Sequence, residues 1–382
     1  MKGKIKVVSI VLFISVFTTF ASCGKQESGW DGTSKERNGV IIVKNPNNPI
    51  YKEDILVLEE ELSLGKKEGE KEFMFTRGLS IDIDKHENIY VLDKVSAEVR
   101  VFNKKGEFLK SFGSRGQGPG EFQNPQFMQI LNNQEMIIWD PSTYRFLIFS
   151  LEGEYLRKIS TSRLAYPLNP VKRDKKGNLI AFMIPPPPMG GPELVKLNNK
   201  FERLMTIARK EKSDSRQRRE FKVMEPSLYC AVFKDDSVLW GNSKKYELQI
   251  LKAEGKLVRK VIRICKPVKI TEIEKKDLEE RYSRTSVAKY GFKPIFPKHY
   301  PFFQDISVDE EGRIFVLTFE RVSMEERFYY LDIFDSEGRY IGKTPMKKRL
   351  SGLFWKKKKL YTIEEDEDGY QSVKRYKVTW KY

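Results

Sequence analysis

Few residues in this chain could do chemistry, and their spacing excludes more than it allows. Two histidines occur in 382 residues, His86 and His299, too few for the multi-histidine ligand set of a metal-dependent lyase. His86 lies in the turn sequence Lys85-His86-Glu87, whereas His299, in Lys298-His299-Tyr300-Pro301, leads into a strand and is kept as a candidate contact. A Gly-x-Ser-x-Gly elbow and a Walker loop are both absent. The run Gly116-Gln117-Gly118-Pro119-Gly120 has the composition of a phosphate cradle, yet a strand follows it where anion binding needs a helix N-terminus. Asp84, Asp174 and Asp309 recur at the ends of strands, where a carboxylate caps the amides of its own turn. No cofactor, metal or catalytic residue is expected, and the chain reads more as a binding module than as an enzyme.

The elements that must position these residues are repeats. A strand, a turn and a second strand recur at 80–93, 128–140, 171–184, 231–242, 306–319 and, in worn form, 353–365. Each of the first five copies is followed by a second hairpin, such as VFNKKGEFLKSF, with Gly106, Gly153, Gly255 and Gly338 at equivalent turns and Lys200 near that place in the third copy. Four strands every 40–50 residues mark a propeller blade, because one sheet cannot bury both of its apolar faces unless blades pack around an axis. The sixth copy lacks its last strand, and the isolated run Ile55 to Leu64 has no hairpin partner. The expectation is therefore an all-β, six-bladed β-propeller of four-stranded antiparallel blades, closed by residues 55–62 pairing with the strand around Val373 to Trp380. Two places break the period. The loop around Pro185–Pro188 is stiff and cannot donate to a ladder. An insertion at about 266–300 carries a helix over 271–285 with a Thr271/Glu274 capping box, placed to cover one mouth of the channel.

Composition agrees with a globular, strand-rich chain: 40% hydrophobic and 12% aromatic residues, with 17 Tyr and 25 Phe. The formal charge is +17, dispersed among hairpin turns, which favours a solvated periphery over a nucleic-acid face. At the N-terminus, Lys2, Lys4 and Lys6 precede the apolar stretch Val7 to Phe20, shorter than a membrane span, and then Ala21-Ser22-Cys23. Phe20-Ala21-Ser22-Cys23 resembles a bacterial lipobox, with Phe20 departing from the usual Leu. The resemblance implies a signal peptide over 1–22, acylation of Cys23 and a cell-envelope protein held at a membrane by its lipid. Residues 23–49 read as a tether, with a short strand at Val40 to Val43, and 50–382 as the propeller. Cys230 and Cys265 fall on inner and outer strands of one unit and are expected as buried free thiols.

The linker Gly116 to Pro125 and the turn Asp84 to Val91 are similar to those of NHL-type six-bladed propellers, and the whole arrangement resembles the bacterial six-bladed propeller lipoproteins. That resemblance implies the fold and leaves the function open. Loops of all blades converge where linkers meet inner-strand starts. That face holds the ligand-binding candidates Arg77, Arg115, Gln126, Tyr166, Tyr229, His299, Tyr300, Phe302, Phe303 and Gln304, joined by Trp139, Tyr144 and Arg145 from second-to-third strand turns. The reading is a noncatalytic, monomeric, envelope-anchored propeller that binds a protein, peptide or glycan at its channel mouth. Two alternatives stay open: a hydrolase or lyase acting on a small ester, lactone or glycan at the same face, and an anionic-polymer binder.

Overall fold

The computed structural model describes residues 29–131, 134–160, 166–184, 191–210, 220–283, 286–323, 328–347 and 350–382. The signal-like leader, Cys23 and the Pro185–Pro188 loop lie outside them. The first blade is built from Leu79–Ile83, Ile89–Asp93, Glu98–Phe102 and Phe108–Phe112, paired antiparallel in that order. The same meander follows from Phe127 to Ser160, Tyr166 to Arg209, Leu228 to Arg263 and Phe303 to Lys347. First strands of neighbouring blades lie side by side around the axis. Burial follows from that placement. In Leu79–Ile83 the residues Leu79, Ile81 and Ile83 are buried and Ser80 and Asp82 only partly so, whereas the second strand Ile89–Asp93, between two blades, is buried throughout.

The recurrent aspartates are turn caps. Asp84 Oδ1 accepts from the amides of His86 at 2.7 Å and Asn88 at 2.9 Å, Asp174 from Asn178 at 2.8 Å, and Asp309 from Glu311 at 3.0 Å and Arg313 at 2.8 Å. His86 is thereby a turn residue.

The sixth blade, Leu350–Lys356, Lys359–Glu365 and Gln371–Trp380, takes its outer strand from the other end of the chain. Leu56–Leu64 pairs antiparallel with Gln371–Trp380, from Leu56 opposite Trp380 to Leu64 opposite Val373, as the unpaired apolar run demanded. Upstream, part of the stretch expected as a tether is folded. Thr33–Arg37 and Val40–Asn45 form a hairpin whose second strand runs parallel to Leu257–Arg263, making the fourth blade six-stranded. Buried Asn45 explains why it docks: its amide donates to Ile262 O at 3.3 Å and Gly338 O at 2.9 Å, and its Oδ1 accepts from Tyr340 N at 2.8 Å.

The insertion helix is Glu272–Ser283, with the expected box: Thr271 Oγ1 accepts from Glu274 N at 3.3 Å and Glu274 Oε2 from Thr271 N at 3.0 Å. The helix packs Leu278 into a core with Tyr300, Phe319 and Tyr329 of the fifth blade region, while buried Tyr282 donates to Phe292 O at 2.6 Å. Cys230 and Cys265 are free.

Candidate functional site

The linker face is held together by its own polar groups. Asp93, at the end of a second strand, accepts from the amides of Thr76 at 2.9 Å, Val95 at 3.1 Å and Ser96 at 3.1 Å, and Asp140 does the same for Gln123 at 2.8 Å and Asn124 at 3.2 Å. In the glycine-rich linker, Ser114–Arg115 pairs in parallel with Glu121–Phe122, and Glu121 accepts from Gly118 N at 2.8 Å. Gly113 has φ +84°, and a Cβ there would stand 2.3 Å from Phe122, so only glycine fits.

The expected contact residues divide by what they touch. The arginines latch connectors: Arg115 donates to Gln123 O at 2.8 Å and Val95 O at 2.6 Å, Arg145 to Glu121 O at 3.1 Å, and exposed Arg77 to Asp368 O at 3.4 Å. Gln126 donates to Asn124 Oδ1 at 2.7 Å and Gln304 to Thr318 O at 2.7 Å. Most of the aromatics fill blade interfaces. Trp139 is buried 4.7 Å from Phe146, Tyr300 is stacked 4.6 Å from Phe319, and Phe302 packs 6.4 Å from Tyr246. Phe303 is wholly buried between Tyr229 and Tyr246. Tyr144 is 57% exposed in a left-handed turn with φ 49°. His299 is exposed and forms a backbone bridge with Lys269. Tyr166 pairs with Ile184 in the third blade, and its side chain is outside the described set.

Tyr229 is the candidate that reaches the channel. Ser80, Asp82, Gln129, Tyr229, Cys230, Asp305 and Ser307 line a central cavity of about 200 Å³ whose apolar wall includes Met128, Phe182, Leu353 and Phe354. Asp82 accepts from Ile130 N at 2.8 Å, binding the first blade to the second, and Asp305 from Ile306 N at 2.8 Å. Burial, reinforced by the Asp305 charge, pushes the Tyr229 phenol up to about 12, so it acts as a neutral hydroxyl. The Gln129 side-chain carbonyl is buried with no hydrogen-bond partner among the described residues.

Gln129 also lines a second cavity of about 390 Å³, with Arg173, Lys175, Phe233, Lys234, Glu310 and Trp355. This mouth lies among first-to-second strand turns, on the opposite end from the linkers. There Trp355 donates to Ser307 Oγ at 3.0 Å and stacks 3.9 Å from Phe315, and Lys175 N donates to Asp236 at 3.0 Å, joining the third blade to the fourth. Ser80, Asp82, Gln129, Asp305 and Trp355 were missed by sequence reasoning. The signal for Ser80 and Asp82 was a polar residue at every second place of an otherwise apolar inner strand. Among the described residues no group of three or more His, Cys, Asp or Glu is arranged to hold a metal ion.

A family model described as a 6-bladed beta-propeller matches residues 68–187. Among solved structures, a Bacteroides fragilis protein predicted to be exported superposes with a TM-score of 0.56 at 13% identity, covering 89% of this chain and 100% of that one. A member of a domain-of-unknown-function family from Bacteroides vulgatus superposes with a TM-score of 0.56 at 11% identity, covering 86% and 100%. By sequence, Protein brain tumor of Drosophila melanogaster is 26% identical over 114 residues, 29% of this chain and 11% of that protein. At these identities the likeness carries the fold alone.

Proposed function

We propose that this chain is an exported, lipid-anchored, noncatalytic binding propeller that takes part of a protein, peptide or glycan into its channel. One observation carries the reading: the central cavity of about 200 Å³ is lined by hydroxyls, carboxylates and the unpartnered Gln129 carbonyl, and it meets the mouth of about 390 Å³ at Gln129. A drug-sized ligand fills about 300–1,000 Å³. The channel therefore suits one side chain or one sugar ring, with the remainder of the ligand on the mouth around Trp355. Export is supported by the N-terminal pattern ending at Cys23. The ligand test is calorimetric titration with panels of oligosaccharides and short peptides. A ligand that occupies the channel is expected to weaken at least about ten-fold in Gln129→Leu, with an unchanged unfolding temperature, and in Trp355→Ala at a temperature where that variant is still folded. A ligand indifferent to both substitutions sinks the reading.

The hydrolase or lyase alternative has one observation in its favour, since Asp82 and Asp305 line the same cavity and paired carboxylates can divide acid and base roles. Turnover of small esters or lactones that is lost in both Asp82→Asn and Asp305→Asn is its test.

A further inference from the structure

We propose that the Thr33–Asn45 hairpin is the surface by which this propeller lies against an anionic lipid headgroup layer. The proposal rests on the reading of Cys23 as the lipid anchor. Register assigns the faces. Thr33 is opposite Lys44, Lys35 opposite Ile42 and Arg37 opposite Val40, and cross-strand partners point to the same side of a sheet. Lys35, Arg37 and Lys44 therefore share one face with Ile42 between them, while Glu36 and the buried Val43 point to the other. All three cations are exposed, and none has an ion-pair partner among the described residues. Some other exposed cations on this propeller are paired, as Arg157 is with Glu135 and Lys67 with Asp366.

Chain length supplies the second argument. Thr33 follows Cys23 by ten positions, at most about 35 Å of extended chain. The hairpin is the outermost part of the fourth blade and is fixed to the propeller body by Asn45 and by pairing along Leu257–Arg263. An acylated Cys23 would therefore keep this hairpin within one short span of chain from the bilayer. Each cation near an anionic surface is worth about five-fold in local occupancy at modest salt, so three of them are enough to bias how a tethered body rests.

The test uses full-length protein purified from envelopes and reconstituted into phosphatidylcholine vesicles with or without phosphatidylglycerol, with lysine acetylation read by mass spectrometry. Lys35 and Lys44 are expected to react about five-fold more slowly than Lys105, on the first blade across the ring, when phosphatidylglycerol is present. The protection is expected to vanish without it, at roughly 1 M salt, where the Debye length is about 3 Å, and to weaken in Arg37→Glu. Equal reactivity of Lys35, Lys44 and Lys105 on anionic vesicles, with the protein still vesicle-bound through Cys23, overturns this proposal and leaves the anchor reading standing. Native protein with no acyl mass on Cys23, together with unchanged vesicle flotation of Cys23→Ser, overturns both.

Discussion

Arg263 and Asp332 meet between the fourth and fifth blades, both nearly or wholly buried, at 2.7 Å. Tyr340 donates to Asp332 Oδ1 at 2.8 Å and Tyr246 to Oδ2, while Arg263 also donates to Asn47 O at 2.9 Å and Glu320 at 3.1 Å. Burial works against the guanidinium charge, and the Asp332 carboxylate outweighs it, holding Arg263 above its ordinary value. Asp332→Ala removes the buried partner and leaves the cation with the half-buried Glu320, and a loss of about 3 kcal/mol in urea unfolding is expected. Replacing the pair by Arg263→Met with Asp332→Leu is expected to recover most of the loss, since apolar groups need no partner. Nearby, burial raises the Cys265 thiol from 9.0 to about 11. At pH 8 its thiolate is roughly a hundredth as abundant as that of an ordinary thiol, so iodoacetamide is expected to label it about a hundred-fold more slowly in the folded protein than in urea. Because the folded value lies above the unfolded one, the stability this thiol contributes is complete below about pH 9 and lost as pH rises toward 11. Such clusters were not legible in the sequence: Arg263 and Asp332 are ordinary strand residues, and Tyr246 an ordinary turn residue, until the ring brings two blades together.

Local patterns, by contrast, fixed several elements before any contact was known. The Thr271 and Glu274 box needs only residues three apart, and the helix begins where it says, at Glu272. Where the helix packs depends on partners remote in sequence, Phe319 and Tyr329 among them, and the Glu274 ion pair with Arg321 is equally remote. Thr271→Ala is therefore expected to cost about 1 kcal/mol in unfolding free energy without altering any ligand titration in the channel. The inner strands show the same limit from the other side. Alternation in Ser80-Ile81-Asp82-Ile83 marks which residues leave the core, yet which mouth they serve depends on how the blades are staggered. Exposed loops at the linker face drew the aromatic and arginine candidates for the same reason. Arg115 and Arg145 are rich in donors, and the nearest acceptors are the carbonyls of the connectors they latch.

At the scale of the ring, one strand decides whether the molecule closes. Ile55, Leu56 and Leu64 are each at most 2% exposed, and burying three aliphatic side chains is worth about 5–9 kcal/mol, comparable to the whole stability of a domain. Tyr51 stacks on Tyr382 at 5.8 Å, and Lys381 N donates to Ile55 O at 2.9 Å, so the two ends of the propeller are also joined just upstream of that strand. The hairpin upstream extends the fourth blade without closing anything. Two truncations separate these roles. Removing residues through Asn45 strips the hairpin, leaves Leu56–Leu64 paired, and is expected to give a folded monomer of lower unfolding temperature. Removing residues through Leu64 exposes Gln371–Trp380 as a long unpaired edge and opens the core between the first and sixth blades, so aggregation is expected. A soluble, cooperatively unfolding product from the longer truncation would show that the blades hold their ring without a shared strand.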